Sequence, residues 1–445
     1  MFEEYSANAR FANFNQVEDY LDSLGLFHMD FGLERMYKAV NALFPEGCPF
    51  KVAQVVGTNG KGSTSHFLAS IVGAHNIKNG LFTSPHLLTV RERVRVGRHM
   101  LPEEEWTVCA NIVDAVQSKK EKERLTYFEF VTVLALVAFA RAKVEFAVLE
   151  AGLGGEFDAT SAIFAEILLF TPISIDHQQI LGEKLSEIAA TKAGAIKPGQ
   201  ILLTAGQESE VLDILKAKAA ENGGKLLKPS PGQSFNYPLG LLGYQQKDNA
   251  RLALAAFSLL AQKHGWILRK PALLRGFKRT YVPGRMQLIN PVFELPAQLL
   301  DGAHNLQSFE ALEKNLHNYG IRPRAIIFSC MNDKNLGSLL PKLPGWTDGP
   351  IYIPPIANNQ RAASPKELTD KIGPRAIPAK NLQEAIKLAD KTPPAALPQP
   401  RQPAYLPEHL QSPVLICGSL YLLGEFFKLH PGLLDPTRRS GKILK

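Results

Sequence analysis

Short apolar runs alternate with longer segments of helical periodicity over the first two thirds of the chain. This alternation is typical of βαβ units, in which crossover helices join parallel strands. It predicts strands at residues 51–56, 146–150, 167–170 and 200–204. It predicts helices at residues 63–74, 103–116, 128–142, 185–195, 208–220 and 248–263.

The alternation resumes on a smaller scale after Pro283-Gly284, a dipeptide that favours a turn or hinge. Strands are predicted there at residues 298–300, 325–328, 351–353 and 414–416. A chain of 445 residues also exceeds the roughly 250–300 residues that one hydrophobic core supports. We therefore predict an α/β protein with a larger domain at 1–282, built on a central mostly parallel sheet, and a smaller Rossmann-like domain at 283–445. The proline-rich stretch 392–413 is expected to be an exposed loop.

Composition narrows the class of protein. The longest uncharged apolar run, residues 130–140, is closed by Arg141 and is too short to span a membrane, so a buried helix is expected. Glu3 and Glu4 stand where a signal peptide carries positive charge, which favours the cytoplasm. The four cysteines are scattered along the sequence without a close pair, which favours reduced thiols over a disulfide framework or a zinc site.

The net charge of +8 favours anionic partners. Part of the excess lies in a terminal segment, with Arg438, Arg439, Lys442 and Lys445, and no basic stripe interleaved with aromatic residues is present elsewhere. Nucleotides and polycarboxylates therefore fit better than nucleic acid. No nucleic acid or membrane partner is expected.

The strongest local signal is the segment Gly57-Thr58-Asn59-Gly60-Lys61-Gly62-Ser63, which follows an apolar strand and precedes a helical pattern. Its glycines allow backbone to approach phosphate, Lys61 supplies charge, and Ser63 offers a hydroxyl to Mg²⁺. The usual P-loop pattern is not met, because Val55 replaces its first glycine and Gly62 separates the lysine from the serine. An incidental glycine-rich turn is the alternative.

This segment resembles the nucleotide loop of the Mur ligase superfamily, and the glycine after the lysine is typical of its folylpolyglutamate synthase branch. Further motifs of that branch occur in order along nearly the whole chain. They are Thr83-Ser84-Pro85-His86, Glu92-Arg93-Val94, Thr126-Tyr127-Phe128-Glu129, 149–155 with Asp158-Ala159-Thr160, Asp176-His177, Lys192-Ala193-Gly194, Pro283-Gly284-Arg285, Asp301-Gly302-Ala303-His304-Asn305 and Gly418-Ser419-Leu420-Tyr421. The resemblance implies a Mur ligase-type, P-loop ATPase-like ATP-binding domain followed by a glutamate-ligase domain.

Glu150 ends an apolar strand before a glycine-rich turn, where parallel sheets bind ligands, and its carboxylate suits Mg²⁺. The resemblance implies two Mg²⁺ ions, one near Ser63 and one held by Ser84, Glu150 and His177. Because Mg²⁺ prefers oxygen, the residues alone favour a catalytic or hydrogen-bonding role for His177. Periodicity favours a solvated surface charge at Lys192, whereas the resemblance implies a carbamylated lysine that helps to hold Mg²⁺ and would need a lowered pKa.

The resemblance also assigns nucleotide and substrate contacts. Nucleotide binding involves Thr58, Asn59, Gly60, Lys61, Gly62 and Ser63 together with Asn249, Arg285 and Asp301, so ATP would lie between the domains and couple binding to closure. Arg93 and Asp158 would lie near the folate or the attacking amine, and His304 near the incoming glutamate. Ser419 is a further substrate candidate, for which an ordinary turn is the alternative.

Together these features predict a ligase that joins L-glutamate to a folate or dihydropteroate carboxylate. ATP would convert the carboxylate to an acyl phosphate, and the products would include ADP and phosphate. Lys61, His177 and Lys192 are the predicted catalytic residues. Glu156, Ser161 and Thr191 depart from the branch's common arginine, asparagine and glutamate, and 329–334 matches its loop only loosely. The preferred acid and the glutamate chain length stay open.

Two alternatives remain. A related Mur-type amide ligase would share the ATP machinery but use another acceptor. The second is a nucleotide-binding module that ligates nothing. Binding alone would not require Ser84, Glu150, His177 and Lys192 together, so their joint presence argues against this alternative. A monomer is expected.

Overall fold

The structure is a computed structural model that describes residues 2, 9–26, 30, 32–120, 123–229, 235–291, 296–332, 336–357, 359–395, 406–407 and 410–434. The acidic N-terminal pair Glu3 and Glu4, the basic terminal segment with Arg438, Arg439, Lys442 and Lys445, most of the proline-rich stretch, and Asp333 and Lys334 lie outside these residues. The chain forms two compact units. The first comprises Met1–Gly240 and Gln246–Thr280, and the second comprises Leu241–Gln245 and Tyr281–Lys445.

The first unit is built on an eight-stranded sheet. Its strands are β1 (Lys51–Val56), β2 (Asn79–Phe82), β3 (Val94–Val96), β4 (His99–Met100), β5 (Phe146–Glu150), β6 (Ile167–Phe170), β7 (Ile201–Thr204) and β8 (Leu226–Leu227). They lie in the order β4-β3-β2-β5-β1-β6-β7-β8; β3 pairs antiparallel with both of its neighbours, β2 and β4, and all other neighbouring strands are parallel. The carboxyl ends of β5, β1 and β6 therefore meet at one edge, next to each other.

Helices cover this sheet and continue to the end of the unit. They are α1 (Phe14–Leu24), α2 (Glu34–Leu43), α3 (Lys61–Ala74), α4 (Glu103–Val116), α5 (Tyr127–Arg141), α6 (Gln178–Leu181), α7 (Leu185–Ala193), α8 (Ser209–Glu221), α9 (Gln245–His264) and α10 (Lys270–Arg279), with short 3₁₀ segments at Val90–Arg93 and Ala159–Ala162. The apolar helix α5 is buried over almost its whole length, as its sequence predicted. No helix in the described part of the chain has the length and hydropathy of a membrane span.

The second unit repeats the plan at a smaller size. Its strands are β9 (Gln287–Ile289), β10 (Gln298–Asp301), β11 (Ala325–Phe328), β12 (Ile351–Ile353), β13 (Ala376–Pro378) and β14 (Val414–Cys417). They lie in the order β13-β12-β11-β14-β10-β9, and all are parallel except β9 at one edge. Its helices are α11 (Leu306–Tyr319), α12 (Pro365–Ile372), α13 (Leu382–Asp390) and α14 (Leu420–Leu429), with 3₁₀ segments at Leu340–Trp346 and Pro431–Leu433.

The predicted α/β class and parallel sheets are confirmed, and each predicted strand and helix exists within a few residues of its expected bounds. The units part between Thr280 and Tyr281, whereas the sequence predicted 282/283. The segment Leu241–Gln245 also belongs to the second unit. Hydrogen bonds explain this, because the Tyr244 amide donates to Asn315 Oδ1 at 2.9 Å and Asn315 Nδ2 donates to Gln245 Oε1 at 2.8 Å.

Candidate active site

The loop between β1 and α3 has backbone angles that require glycine. Gly57 and Gly60 have φ of +152° and +88°, and a Cβ on Gly57 would lie 2.0 Å from Thr171 Oγ1. A Cβ on Gly60 would lie 2.5 Å from Asn249 Oδ1, so the Asn249 side chain rests against this loop. No side chain among the described residues caps α3 at Gly60. The amides of its first turn have no acceptor within the helix itself, which is the arrangement of a phosphate-binding helix.

Two lysines reach the backbone of the same loop. Lys61 Nζ donates to Thr58 O at 3.1 Å, and Lys192 Nζ donates to Gly57 O at 2.9 Å. Lys192 is only 3% exposed, so its interpretation as a solvated surface charge is wrong. Burial, assisted by the charge of Lys61, lowers the pKa of Lys192 to about 7, although Asp158 and Asp176 act in the opposite direction. Near neutral pH a substantial fraction of this amine is therefore uncharged.

A buried carboxylate faces the start of α3. Glu150 ends β5 with 4% of its surface exposed, and its Oε2 accepts a hydrogen bond from the Ser84 amide at 3.1 Å. Both of its carboxylate oxygens lie 3.4 Å from the position that a Cβ on Gly62 would take. Gly62 precedes the buried Ser63. Carboxylate and hydroxyl oxygens thus lie at the end of β5 and the start of α3, and Mg²⁺ prefers oxygen ligands.

His177 sits at the start of α6 with φ of +53°. Its side chain is 46% exposed and its Nε2 lies 3.9 Å from Asp176 Oδ2. Within the described residues no group of three or more His, Cys, Asp and Glu side chains could hold a metal ion. An ion at Glu150 would therefore need hydroxyl, phosphate and water oxygens to complete its shell, which is how Mg²⁺ is usually bound at nucleotide sites. The donor set fits that ion, and a ligand role for His177 stays a prediction.

Arg93 is buried beside a histidine. Its Nε donates to His86 Nδ1 at 2.9 Å, and its guanidinium carbon lies 5.3 Å from the centre of the Tyr127 ring. Burial and the charge of Arg93 lower the pKa of His86 to about 3. Asp158 is buried as well, and burial raises its pKa. Its oxygens accept hydrogen bonds from the amides of Leu153 and Thr160 and from the Thr160 hydroxyl, so it holds the turn after β5.

In the second unit the predicted site residues lie at the ends of paired strands. Asp301 pairs with Cys417 across β10 and β14, so the loops that carry His304 and Ser419 begin at one sheet edge. Asp301 accepts hydrogen bonds from the amides of Met286 and Ala303, both at 2.9 Å, and burial raises its pKa while Arg285 opposes the shift.

The other predicted residues of this unit make mostly local contacts. Arg285 Nη1 donates to Gly302 O at 3.3 Å, and His304 Nδ1 donates to the same carbonyl at 2.7 Å. Ser419 Oγ accepts from the Tyr421 amide at 3.1 Å and caps α14. Arg285, His304 and Ser419 therefore also stabilise the loops in which they lie.

Several residues of this region were not predicted to have roles. Glu92 accepts hydrogen bonds from three successive amides, those of Leu87, Leu88 and Thr89. Glu129 caps α5 with Thr126 and pairs with Arg35. The cap could have been predicted, because Thr126 and Glu129 form a capping-box pattern before an apolar run. The pairing of Arg35 with Glu129 could not, since nothing local marks it.

The three departures from the family pattern are accommodated by local contacts. Ser161 Oγ donates to Gly155 O at 2.5 Å, and Thr191 Oγ1 donates to Glu187 O at 3.1 Å. The Glu156 amide donates to Thr191 O at 3.1 Å while its side chain is exposed.

Comparison with known proteins agrees with this geometry. The family described as Mur ligase, glutamate ligase domain, matches residues 284–395. A dihydrofolate synthase/folylpolyglutamate synthase of Bacillus subtilis is 29% identical over 432 residues, covering 89% of this chain and 94% of the relative.

Two solved structures are similar over almost the whole chain. One is E. coli FolC in complex with DHPP and ADP, with a TM-score of 0.79 and 28% identity, covering 96% of this chain and 99% of that chain. The other is a Mycobacterium tuberculosis folylpolyglutamate synthase complexed with ADP, with a TM-score of 0.81 and 26% identity, covering 94% of this chain and 98% of that chain.

The two α/β units, the glycine loop with its lysines and the matched glutamate-ligase domain define an ATP-dependent ligase of the Mur ligase superfamily. Within that superfamily the chain is similar, over most of its length, to folylpolyglutamate synthases and dihydrofolate synthases.

Proposed function

We propose that this enzyme uses ATP to join the amine of L-glutamate to the carboxylate of a folate or a dihydropteroate, with release of ADP and phosphate. The observation that carries the proposal is the arrangement at the end of β5. There Glu150 faces the start of α3, while Lys192 and Lys61 both reach the backbone of the nucleotide loop. A site with these charges suits phosphoryl transfer, which depends on positioning and charge neutralisation more than on covalent help.

The reaction proceeds in two steps. An oxygen of the acid substrate attacks the γ-phosphorus of ATP, the bond to the bridging oxygen of ADP breaks, and an acyl phosphate forms. The nitrogen of glutamate then attacks the acyl carbon, phosphate leaves, and the nitrogen loses a proton. Lys61 and the amides at the start of α3 hold the γ-phosphate and stabilise the charge that develops on it. No protein nucleophile is required.

Two Mg²⁺ ions are proposed to supply further positive charge at the phosphate oxygens. Ser63 would hold one ion, and Ser84, Glu150 and His177 would hold the other. Glu150 is central to this proposal, because it is buried and already oriented by the Ser84 amide. Asn249, which rests against Gly60, is proposed to contact the nucleotide together with Thr58, Asn59, Gly62, Arg285 and Asp301.

Substrate roles follow the same reasoning. Arg93 and Asp158 are proposed to serve the acid substrate, and His304 and Ser419 the incoming glutamate. Asp158, His304 and Ser419 lie in loops that follow strands or begin helices, where open α/β sheets bind ligands, whereas Arg93 ends the 3₁₀ segment that precedes β3. A monomeric state and a cytoplasmic location complete the proposal.

Lys192 is proposed to be carbamylated. Its neutral amine would attack the carbon of CO₂, form a nitrogen–carbon bond and lose one proton, leaving an anion that helps to hold Mg²⁺. A pKa of about 7 makes the neutral amine available, and burial would protect the product. The test is ¹³C NMR with labelled bicarbonate. A carbamate signal in the wild type that is missing from Lys192→Met supports the assignment, and identical spectra contradict it.

The function itself is tested by incubation with ATP, Mg²⁺, L-glutamate and either dihydropteroate or tetrahydrofolate. Mass spectrometry should detect acid that has gained glutamate, and ADP release should require both the acid and glutamate. Omission of each component serves as the control. ADP release that ignores both substrates, without any condensed product, would contradict ligation and favour a simple nucleotide-binding module. The two acids also show which acceptor is used.

A further inference from the structure

The segment from Ser84 to Thr89 is fixed by buried carboxylates at both ends. At its start the Ser84 amide donates to Glu150 Oε2 at 3.1 Å. At its end the amides of Leu88 and Thr89 donate to Glu92 Oε1 at 2.7 and 2.9 Å. Both glutamates are less than a tenth exposed. The residue between these anchors, His86, is therefore presented on a rigid backbone.

The imidazole of His86 is fixed as well. Arg93 Nε lies 2.9 Å from His86 Nδ1, and a guanidinium can donate but not accept a hydrogen bond. Nδ1 must therefore be the acceptor, which leaves the ring neutral with its proton on Nε2. Arg93 is itself held, since it is buried and lies over the Tyr127 ring. The geometry selects one tautomer and one ring orientation.

The Nε2–H group of His86 makes no hydrogen bond to the described part of the protein. In the described part of the chain no residue accepts a hydrogen bond from His86 Nε2, and the residue is only partly buried. A donor polarised by an adjacent arginine, and held without an internal acceptor, is suited to an anionic ligand. The absence of a partner is therefore a positive signal here.

The position of His86 indicates which ligand group it meets. His86 is two positions after Ser84 in the sequence, a reach of at most about 7 Å. Ser84 contacts Glu150, which faces the start of the nucleotide helix. The acid that attacks the γ-phosphate must place its carboxylate close to this point, because reacting atoms approach to about 3–3.5 Å.

We propose that His86 binds the carboxylate of the acid substrate through Nε2–H, and that Arg93 acts as a positioning residue that fixes the His86 tautomer. This rests on the proposed ligase function and deepens it, because it gives Arg93 an indirect role and adds a residue that recognises the acceptor. The proposed contact is to the carboxylate that ATP activates, and not to the pterin ring of the substrate.

The test compares two amides at position 86. His86→Gln can place a donor where Nε2 lies, whereas His86→Asn can replace only Nδ1, and His86→Ala removes both. We expect His86→Ala and His86→Asn to raise KM for the acid and its dissociation constant by about tenfold to hundredfold, as loss of a hydrogen bond to a charged group does. His86→Gln should recover most of this loss, and KM for ATP should stay within about twofold.

Arg93→Met tests the positioning role. Its effect on KM for the acid should be smaller than that of His86→Ala, and the double variant should be no worse than His86→Ala alone, because both act through one donor. His99→Ala, at an exposed histidine of β4, is the matched control. Circular dichroism checks that each variant is folded.

The outcomes separate this inference from the proposed function. Calorimetric binding of dihydropteroate or tetrahydrofolate, without ATP, reports on His86 independently of turnover. An unchanged dissociation constant and KM for the acid in folded His86→Ala overturn the role of His86, as does an equal rise in KM for ATP. Wild-type enzyme that neither binds nor converts either acid overturns the proposed function itself.

Discussion

The two sheet edges use their buried charges differently. In the second unit Asp301 accepts two backbone amides and Ser419 caps a helix, so these side chains hold their own loops in place. In the first unit Lys192 is buried with its pKa lowered to about 7, and Glu150 faces the start of α3. Strong perturbation of buried charge beside a phosphate-binding loop is typical of catalytic sites. The comparison indicates that the chemistry is concentrated at the sheet edge of the first unit. Substitutions there should lower activity more than stability, whereas substitutions at the sheet edge of the second unit should mainly lower stability.

The largest effect is expected for Lys61→Ala. Loss of this charge at the γ-phosphate should lower kcat/KM by on the order of a thousandfold, since one preorganised donor accounts for about that factor. The measurement is acid-dependent ADP release in steady state. Lys51→Ala, at the exposed start of β1, is the control and should behave as wild type. Near-normal turnover by Lys61→Ala would remove the basis for placing the chemistry at this edge.

Glu150→Gln should lower turnover by on the order of a hundredfold while leaving thermal stability nearly unchanged. The amide oxygen can still accept from the Ser84 amide, so this contact is kept while the charge is lost. Glu145→Gln is a close control, because Glu145 is exposed at the other end of the strand and likewise accepts a backbone amide, that of Lys78. Turnover and melting temperature are measured for both. A stability loss equal to the activity loss would indicate a structural role for Glu150.

Lys192→Met should change the pH dependence of stability. The pKa of Lys192 is lowered from 10.5 to about 7 on folding, so between these values the unfolded chain binds one more proton than the native protein. The wild-type free energy of unfolding, relative to the Met variant, should therefore rise with pH across this window, by about 1.4 kcal/mol per pH unit, and be lowest below pH 7. Urea titrations in CO₂-free buffers measure it. A difference that does not vary with pH contradicts the buried amine.

The sequence predicted the sheet edges better than the side-chain roles. Short apolar runs such as 146–150 predict central strands of a parallel sheet. The residues at the carboxyl ends of these strands could therefore be placed at a common edge of the sheet. The position of Lys192 could not be read from helical periodicity, because α7 packs its last turn against Gly155, where a Cβ would lie 2.5 Å from Lys192 O. That close approach depends on residues far apart in sequence.

Pairs of polar side chains that meet only in the folded chain could not be predicted from local sequence either. Arg35 and Glu129 form their ion pair across 94 positions of sequence, and Arg93 holds His86 through a contact that no periodicity indicates. The capping box of α5 was available from spacing alone. Local rules therefore recover loops and caps, whereas the selection of a tautomer or a pKa needs the tertiary structure.

Asp301→Asn sharpens the comparison at the second edge. An amide can accept only one of the two backbone amides that Asp301 now binds, and its NH₂ group would face the other. The free energy of unfolding should fall by about 1–3 kcal/mol, the usual result of leaving a buried polar group unsatisfied. Differential scanning calorimetry is the measurement, with Asp370→Asn on the exposed side of α12 as control. Unchanged stability would show that Asp301 is held for its ligand and not for its loops.

The smallest effect is expected for Ser419→Ala, which removes the cap of α14 and should cost about 1 kcal/mol of stability. Ser364→Ala is the matched comparison, because Ser364 Oγ caps α12 by accepting from the Glu367 amide and has no predicted substrate role. If Ser419 only shapes its turn, the two variants lose similar stability and keep the wild-type KM for glutamate. If it also contacts glutamate, only Ser419→Ala raises that KM, and Ser419→Thr, which keeps the hydroxyl, restores it. Either result decides whether a capping side chain at the second edge also takes part in binding.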